Sequence, residues 1–109
     1  MAIFVTTGRF SHSGASGLMS KPEDRTEIVS NLVAAAGGKL LNYYVTTGDT
    51  DFLLVTEASS ADAALAAGMA ASATGAVSDM KTVQAWTSAD FAKIAAKAGK
   101  IAGKYRPPG

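Results

Sequence analysis

Few side chains in this sequence have the types and spacing that catalysis requires. His12 is the only histidine, and it follows Arg9 in a segment rich in glycine and serine. A histidine there could act as a general base or an axial ligand at the mouth of a pocket between the first strand and the first helix. The simpler interpretation is a solvated loop histidine, which a single sequence does not distinguish from a functional one.

Two carboxylates occur two residues apart, at Asp49 and Asp51, within the segment Gly48-Asp49-Thr50-Asp51. Aspartates in turns commonly accept hydrogen bonds from their own backbone, which explains the pair without catalysis. The alternative is an acid or base role, for which Asp51 is the candidate. No metal site is predicted, since there is no cysteine and no second histidine. No cofactor is predicted either, because no glycine-rich phosphate loop occurs.

Three large amphipathic rings, Tyr43, Tyr44 and Trp86, are candidate ligand contacts. Such rings more often anchor cores and interfaces than stack on a cofactor. Adjacent residues of a strand point to opposite faces, so one tyrosine should face the helices and the other a partner subunit. A pocket, if present, should draw its polar contacts from a tyrosine hydroxyl, Arg9 and His12.

A sheet with helices on one side is predicted to position these side chains. The residues between the second and third strands are four turn formers, which favours an antiparallel hairpin. The first helix should begin at the capping box Ser20-Lys21-Pro22-Glu23 and end at Gly37-Gly38. The predicted strands are Ala2–Phe10, Leu40–Thr47, Phe52–Glu57 and Val77–Thr87, and the later helices lie within Ala58–Gly75 and from Ser88 onward.

Side-chain alternation predicts the faces of these elements. It places Leu41, Tyr43 and Val45 on one side of the second strand, and Leu40 and Tyr44 on the other. In the fourth strand, alternation places Val77 on one side and Met80 on the other. One side of the second helix should carry a stripe of small and apolar residues, which are Ala61, Leu65, Gly68, Met69 and Ser72.

The order βαββαβ followed by a C-terminal helix predicts an α+β fold of the ferredoxin-like type, with a four-stranded antiparallel sheet. Residues 1–87 would form its body and residues 88–109 an amphipathic helix and tail of the same domain. Both faces of the strands carry apolar side chains, so a second copy of the chain should cover the open face and make a homodimer.

The bulk composition excludes several classes of protein. A net charge of +1 over 109 residues argues against a nucleic-acid binder. The apolar runs are too short for a signal peptide or a membrane span, so a soluble cytoplasmic protein without a membrane partner is expected. The last helix carries a basic stripe opposite an apolar one, which is more simply a solvated face than a binding site. The basic residues are Lys93, Lys97, Lys100 and Lys104.

Several local strings together resemble the GYD-domain family, which consists of small bacterial proteins of the dimeric α/β-barrel superfamily. They are MAIFVTTGRF, KPEDR, AAAGGKLLNYYVTTG, GDTDFLLVTEA and GAVSDMKT, within residues 1–95. Gly48 and Asp51 match the Gly-x-Tyr-Asp turn of the family, whereas Thr50 replaces its tyrosine. The resemblance implies the fold and a dimer, and it adds weight to Asp51. It does not imply an activity, since superfamily relatives include cofactor-independent monooxygenases, isomerases and haem proteins.

Three functions remain open from the sequence. The first is a non-enzymatic homodimer that holds a small, mainly apolar molecule between sheet and helices. The second is a cofactor-independent monooxygenase or isomerase that uses His12, Arg9 and Asp51. The third is a structural protein in which the helix Ser60–Thr74 and the C-terminal helix pack dimers into a higher assembly.

Overall fold

The computed structural model describes residues 1–109 and contains four strands and four α-helices. The strands are β1 (Ala2–Phe10), β2 (Lys39–Val45), β3 (Phe52–Ala58) and β4 (Val77–Ala85). The helices are α1 (His12–Ser20), α2 (Thr26–Ala35), α3 (Ala61–Ala73) and α4 (Ser88–Ile101), and a 3-10 turn follows at Ala102–Lys104.

The strands form one antiparallel sheet in the order β2-β3-β1-β4. The predicted hairpin joins β2 and β3, and it closes where the Thr46 amide donates to the Asp51 carbonyl at 2.8 Å. Gly48 supplies the positive φ of 95° that the turn needs, a conformation that glycine adopts without steric cost. Helix α2 lies in the connection from the central strand β1 to the outer strand β2, and α3 lies in the connection from the central strand β3 to the outer strand β4, both on the same face of the sheet. The predicted ferredoxin-like α+β fold is therefore confirmed.

A β-bulge in β2 changes which side chains face the helices. Leu40 pairs with Thr56, but the next pair is Asn42 with Val55, so Leu41 is an extra residue. Leu40 and Tyr43 therefore share the helix-covered face, and both pack against the core. The prediction that they lie on opposite sides was wrong, because strict alternation holds only in a strand without an inserted residue.

The other edge strand has a similar irregularity. The pairing of β1 with β4 shifts between Thr7 and Arg9, and in β4 the residue Asp79 has a φ of 50°. Aspartate tolerates this left-handed conformation better than most residues. As a result Val77 and Met80, which alternation had separated, both pack against the core.

Helix α1 lies in the segment rich in glycine and serine that follows β1. Ser11 caps α1 by accepting a hydrogen bond from the Gly14 amide at 3.1 Å. A Cβ at Gly14 would overlap the carbonyl oxygen of Ala76, so only glycine lets α1 approach the start of β4 this closely. The small residues thus serve close packing as well as chain flexibility.

The predicted capping box at Ser20 was wrong. Ser20 is the last residue of α1, and its hydroxyl donates back to the Ser16 carbonyl at 2.9 Å. Arg25 occupies the N-cap position of α2 without a side-chain cap, and the carboxylate of the preceding Asp24 accepts from the amide and the hydroxyl of Thr26, the first residue of the helix. These hydrogen bonds, led by the one from the hydroxyl, lower the pKa of Asp24 from its usual value.

Helix α3 is turned differently from the prediction. Leu65 and Met69 are 63% and 65% exposed, whereas Gly68 faces the sheet. The predicted stripe therefore does not form one packed face. The inward side of α3 consists almost wholly of alanine and glycine, namely Ala63, Ala64, Ala67, Gly68, Ala70 and Ala71.

Helix α4 projects away from the rest of the chain. Thr87 caps it by accepting from the Asp90 amide at 3.1 Å. After its N-terminal cap, α4 has no substantial packing on the sheet or on the other helices. Because α4 extends outward, the molecule is 59 Å long but only 22 Å thick. The apolar stripe of α4 is consequently exposed, and its large residues are Phe91, Ile94 and Ile101. Tyr105, which follows the 3-10 turn, is exposed as well.

Candidate functional site

A cavity of about 610 Å³ lies between the helix-covered face of the sheet and helices α1, α2 and α3. It exists because the interior is sparsely filled, with only 8 of 109 residues buried. Ligand cavities in proteins usually measure about 300–1,000 Å³ and are lined mainly by apolar groups. Of the 29 residues that line this cavity, 18 are hydrophobic, so its size and chemistry suit a small apolar molecule.

The wall that α3 contributes explains the size of the cavity. Ala67 and Gly68 face the sheet, where most helices of this fold type would present larger side chains. A Cβ added at Gly68 would come no closer than 3.9 Å to another residue, the nearest atom being Cε of Met80. Met80 is thus the one residue that reaches α3 at Gly68, and the small side chains of this helix leave the rest of the cavity open.

Aromatic rings form one part of the lining. The rings of Phe10 and Phe52 lie 5.4 Å apart between centroids, and those of Tyr43 and Phe52 lie 6.4 Å apart, both pairs in tilted arrangements. Tilted contacts at these distances are favourable for aromatic pairs. The three rings give one end of the cavity a fixed aromatic surface.

Charged residues border the same end, which we call the charged end and define by Lys21, Glu23 and Arg25. Arg25 forms an ion pair with Glu23 at 2.8 Å. Both side chains remain partly exposed to solvent, so this pair contributes little to stability. Burial raises the pKa of Tyr43, and the positive charge of nearby Arg25 partly opposes that rise. Tyr43 is therefore a neutral hydrogen-bonding group over the ordinary pH range.

Two buried threonines supply most of the polar character of the sheet wall. Thr6 and Thr56 are each 5% exposed, and both line the cavity. The Thr6 hydroxyl is hydrogen-bonded to the Thr82 hydroxyl at 2.8 Å. The Thr56 hydroxyl is shielded from solvent and has no hydrogen-bond partner. A buried polar group without a partner is unusual and calls for an explanation.

The structure does not bring the candidate catalytic residues together at this cavity. Arg9 and His12 are exposed, and neither lines it. Asp51 has a structural role, since its carboxylate accepts from the Phe10 amide at 2.8 Å and its own amide donates to the Gly8 carbonyl. These contacts hold the hairpin turn against the end of β1. A catalytic role for the three residues stays a prediction.

Of the three candidate ligand contacts, Tyr43 lines the cavity and the other two do not. Tyr44 pairs with Leu53 on the face without helices and is 56% exposed. Trp86 follows the end of β4 and is 54% exposed. The expectation that the two tyrosines face opposite sides agrees with this register. Ligand binding by any of the three remains a prediction.

The residues that sequence reasoning missed are Thr56 and the alanine wall of α3. Side-chain alternation in β3 could have predicted that Thr56 faces the core, since it lies on the same face as the apolar residues at every second position. The buried residues of β3 are Phe52, Leu54, Thr56 and Ala58. Nothing in the alanine-rich sequence of α3 indicated which side faces inward.

No group of three or more His, Cys, Asp or Glu residues that could hold a metal ion occurs, and no helix is long and apolar enough to cross a membrane.

The turn at which the sequence departs from the Gly-x-Tyr-Asp pattern lies outside the cavity. Thr50 is half-buried, and its carbonyl accepts a hydrogen bond from the Thr46 hydroxyl at 2.9 Å. It does not line the cavity. Thr50 therefore contributes nothing to the lining of this cavity.

Comparisons with known proteins agree with the fold and add the family. Neither the comparison with curated proteins nor that with solved structures gives a match. A family model described as GYD domain matches residues 4–95, from within β1 to within α4. This range includes the sheet except for the first two residues of β1, and it includes α1, α2 and α3, which surround the cavity. Because the match covers most of the 109 residues, the chain belongs to the GYD-domain family.

Proposed function

We propose that this protein is a non-enzymatic, homodimeric binding protein that holds one small, mainly apolar molecule between its sheet and helices. The observation that carries the proposal is the cavity of about 610 Å³ with its predominantly hydrophobic lining. An empty space of this size leaves the lining side chains without contacts on one side. An apolar molecule that enters it gains those contacts and removes its own surface from water.

The position of the polar groups supports binding over catalysis. The candidate acid and base groups, His12 and Asp51, do not line the cavity, and the Asp51 carboxylate already holds the Phe10 amide. A general base must come within hydrogen-bond reach of the proton that it removes. The polar groups that do line the cavity include hydroxyls and one ion pair, which are suited to orienting a ligand.

The homodimer is proposed from the face of the sheet that no helix covers. Its central strands present Ile3, Val5, Leu53 and Val55, which lie opposite to the helix-facing residues of β1 and β3. Val83 on β4 is 50% exposed on the same face. A continuous apolar surface on a sheet commonly marks an interface, and a twofold pair of identical faces is its simplest partner.

Native mass spectrometry of the protein as purified tests the proposal. We expect a dimer that carries a non-covalent mass, and we expect this mass to separate when the same sample is denatured. The mass of the released molecule identifies its size. A protein that carries no extra mass and binds none of a panel of neutral hydrophobic compounds would contradict the binding function.

A second candidate, a structural role in a higher assembly, is favoured by α4. This helix lies away from the sheet and exposes its apolar stripe, including Phe91 and Ile94. If this second candidate is correct, the full chain forms species larger than a dimer, and a variant that lacks residues 88–109 stops at the dimer. Size-exclusion chromatography with light scattering measures both. Equal masses per particle for the two proteins would exclude an assembly through α4.

A further inference from the structure

The unpartnered hydroxyl of Thr56 is a feature that a purely apolar ligand does not explain. Thr56 lies on β3 between Leu40 of β2 and Phe4 of β1, on the face toward the cavity. A buried hydroxyl without a hydrogen bond reduces stability relative to a methyl group of the same shape. A valine would fill this position at no such cost. The presence of threonine therefore indicates that the hydroxyl has a partner when the protein functions.

The partner has to come from the cavity, since no protein group reaches the hydroxyl. Threonine side chains occupy staggered χ1 rotamers, and one step of about 120° moves the hydroxyl to the former position of the methyl group while the methyl group moves to the former position of the Cβ hydrogen. Because Thr56 borders the cavity, such a rotation can present the hydroxyl to a bound molecule. Thr6, on the neighbouring strand, is not available in this way because it is already paired with Thr82.

Thr56 lies at the opposite end of the cavity from the charged residues. The segment that contains Glu23 and Arg25 lies beside Phe10 and Tyr43. At the other end, α2 terminates against the sheet, where Gly38 lies next to Val33 and the Glu57 carbonyl. Thr56 lies four positions along β3 from Phe52 at the aromatic surface, which corresponds to about 13 Å along a strand. We call the region of Thr56 and Ala58 the threonine end.

We propose that the ligand carries an uncharged oxygen, as a ketone, ester or alcohol, which hydrogen-bonds to the Thr56 hydroxyl at the threonine end of the cavity. This inference rests on the proposed binding function and specifies the chemical class of the ligand. The rest of the molecule is apolar and extends along the alanine wall of α3 toward the aromatic surface. A hydroxyl both donates and accepts, so it pairs with a carbonyl or with an alcohol.

An anionic group does not suit this position. The cations that line the cavity, Lys21 and Arg25, are at the charged end. At the threonine end the neighbours of Thr56 are apolar and include Val33, Leu54 and Ala58. Burying a carboxylate with one hydroxyl as its only partner costs far more than that hydrogen bond returns. The ligand oxygen at the threonine end is therefore neutral.

The test uses two probes of the same tricyclic shape that differ by one carbonyl oxygen, 9-fluorenone and fluorene. Equilibrium dialysis against the full chain measures both dissociation constants. We expect wild type to bind fluorenone more tightly than fluorene on the order of fivefold, which corresponds to one net hydrogen bond. The isosteric variant Thr56→Val should bind the two probes equally, and Thr56→Ser should retain the preference. Thr6→Val, the matched control, should retain it as well.

A thermal melt of each variant without probe shows whether the effect is merely structural. Unliganded Thr56→Val should melt at or above the temperature of wild type, because it replaces an unsatisfied hydroxyl by a methyl group. A preference for fluorenone that persists in Thr56→Val, or that wild type lacks, would overturn the inference while leaving the binding function intact. Tighter binding of fluorene-9-carboxylate than of fluorenone would overturn the neutral class. Failure of wild type to bind any of the three probes would instead count against the binding function.

Discussion

Ala67→Phe should weaken binding of fluorene by about 100-fold or more, a loss near 2.7 kcal/mol, while the protein remains folded. Ala67 lies in the middle of α3 on the side that lines the cavity. A phenyl ring at this position occupies the space that the ligand requires. It also makes apolar contacts that the empty cavity lacks, so the melting temperature should stay the same or rise. Equilibrium dialysis and a thermal melt measure the two effects.

The neighbouring residue provides the control. Ala66 is on the same helix and is exposed, and it does not line the cavity. Successive helix residues are rotated by about 100° around the axis, so Ala66→Phe adds the same ring outside the binding site. We expect wild-type affinity from this variant. If the two variants bind fluorene equally well, the ligand does not occupy the space between α3 and the sheet.

Val55→Glu should convert the dimer into a monomer, with a dissociation constant raised by about 100-fold or more. Val55 is at the centre of β3, paired with Val5 on one side and Asn42 on the other, on the face that no helix covers. In the proposed dimer this position is desolvated by the partner subunit. A buried carboxylate without a partner is strongly unfavourable, whereas in a monomer the same group is hydrated. Analytical ultracentrifugation over a concentration series measures the change.

Leu65→Glu is the matched control for this prediction. Leu65 is 63% exposed on the outer side of α3, far from the uncovered sheet face. It should leave the dimer unchanged. If Leu65→Glu produces a monomer and Val55→Glu does not, the subunits associate through the helices and the proposed interface is wrong. The Val55→Glu monomer should still bind fluorene, since Val55 does not line the cavity.

Much of the architecture could be predicted because it depends on local signals. Each of these signals lies within a few consecutive residues. The turn formers between Val45 and Phe52 predict a turn, the apolar start of β1 predicts a strand, and the glycines after α2 predict a helix end, and the structure has each of them at that place. The predictions that failed depended on neighbours distant in sequence. The two bulges arise from how β2 and β4 pair with the central strands, and they reverse the faces of Leu40 and Val77 relative to strict alternation.

The start of α2 shows the same limit at a smaller scale. Ser20 has the correct spacing to cap a helix at Pro22, yet its hydroxyl bonds to Ser16 because residues 12–20 form a helix of their own. That helix depends on the close approach of Gly14 to the Ala76 backbone, which is a contact between residues far apart in the chain. Local propensity was therefore overruled by packing.

The sequence by itself determined the order of the strands, the helices α2 to α4 between and after them, the antiparallel hairpin and the family, because hydrophobic periodicity, turn residues and short motifs are properties of consecutive residues. Only the tertiary structure decided where a ligand fits. An alanine-rich helix has no large apolar stripe to orient it, so its rotation is set by packing against the sheet, and this rotation leaves the cavity open. The isolation of the Thr56 hydroxyl likewise depends on its neighbours from other strands and helices, since whether a polar group has a partner is a property of the assembled fold.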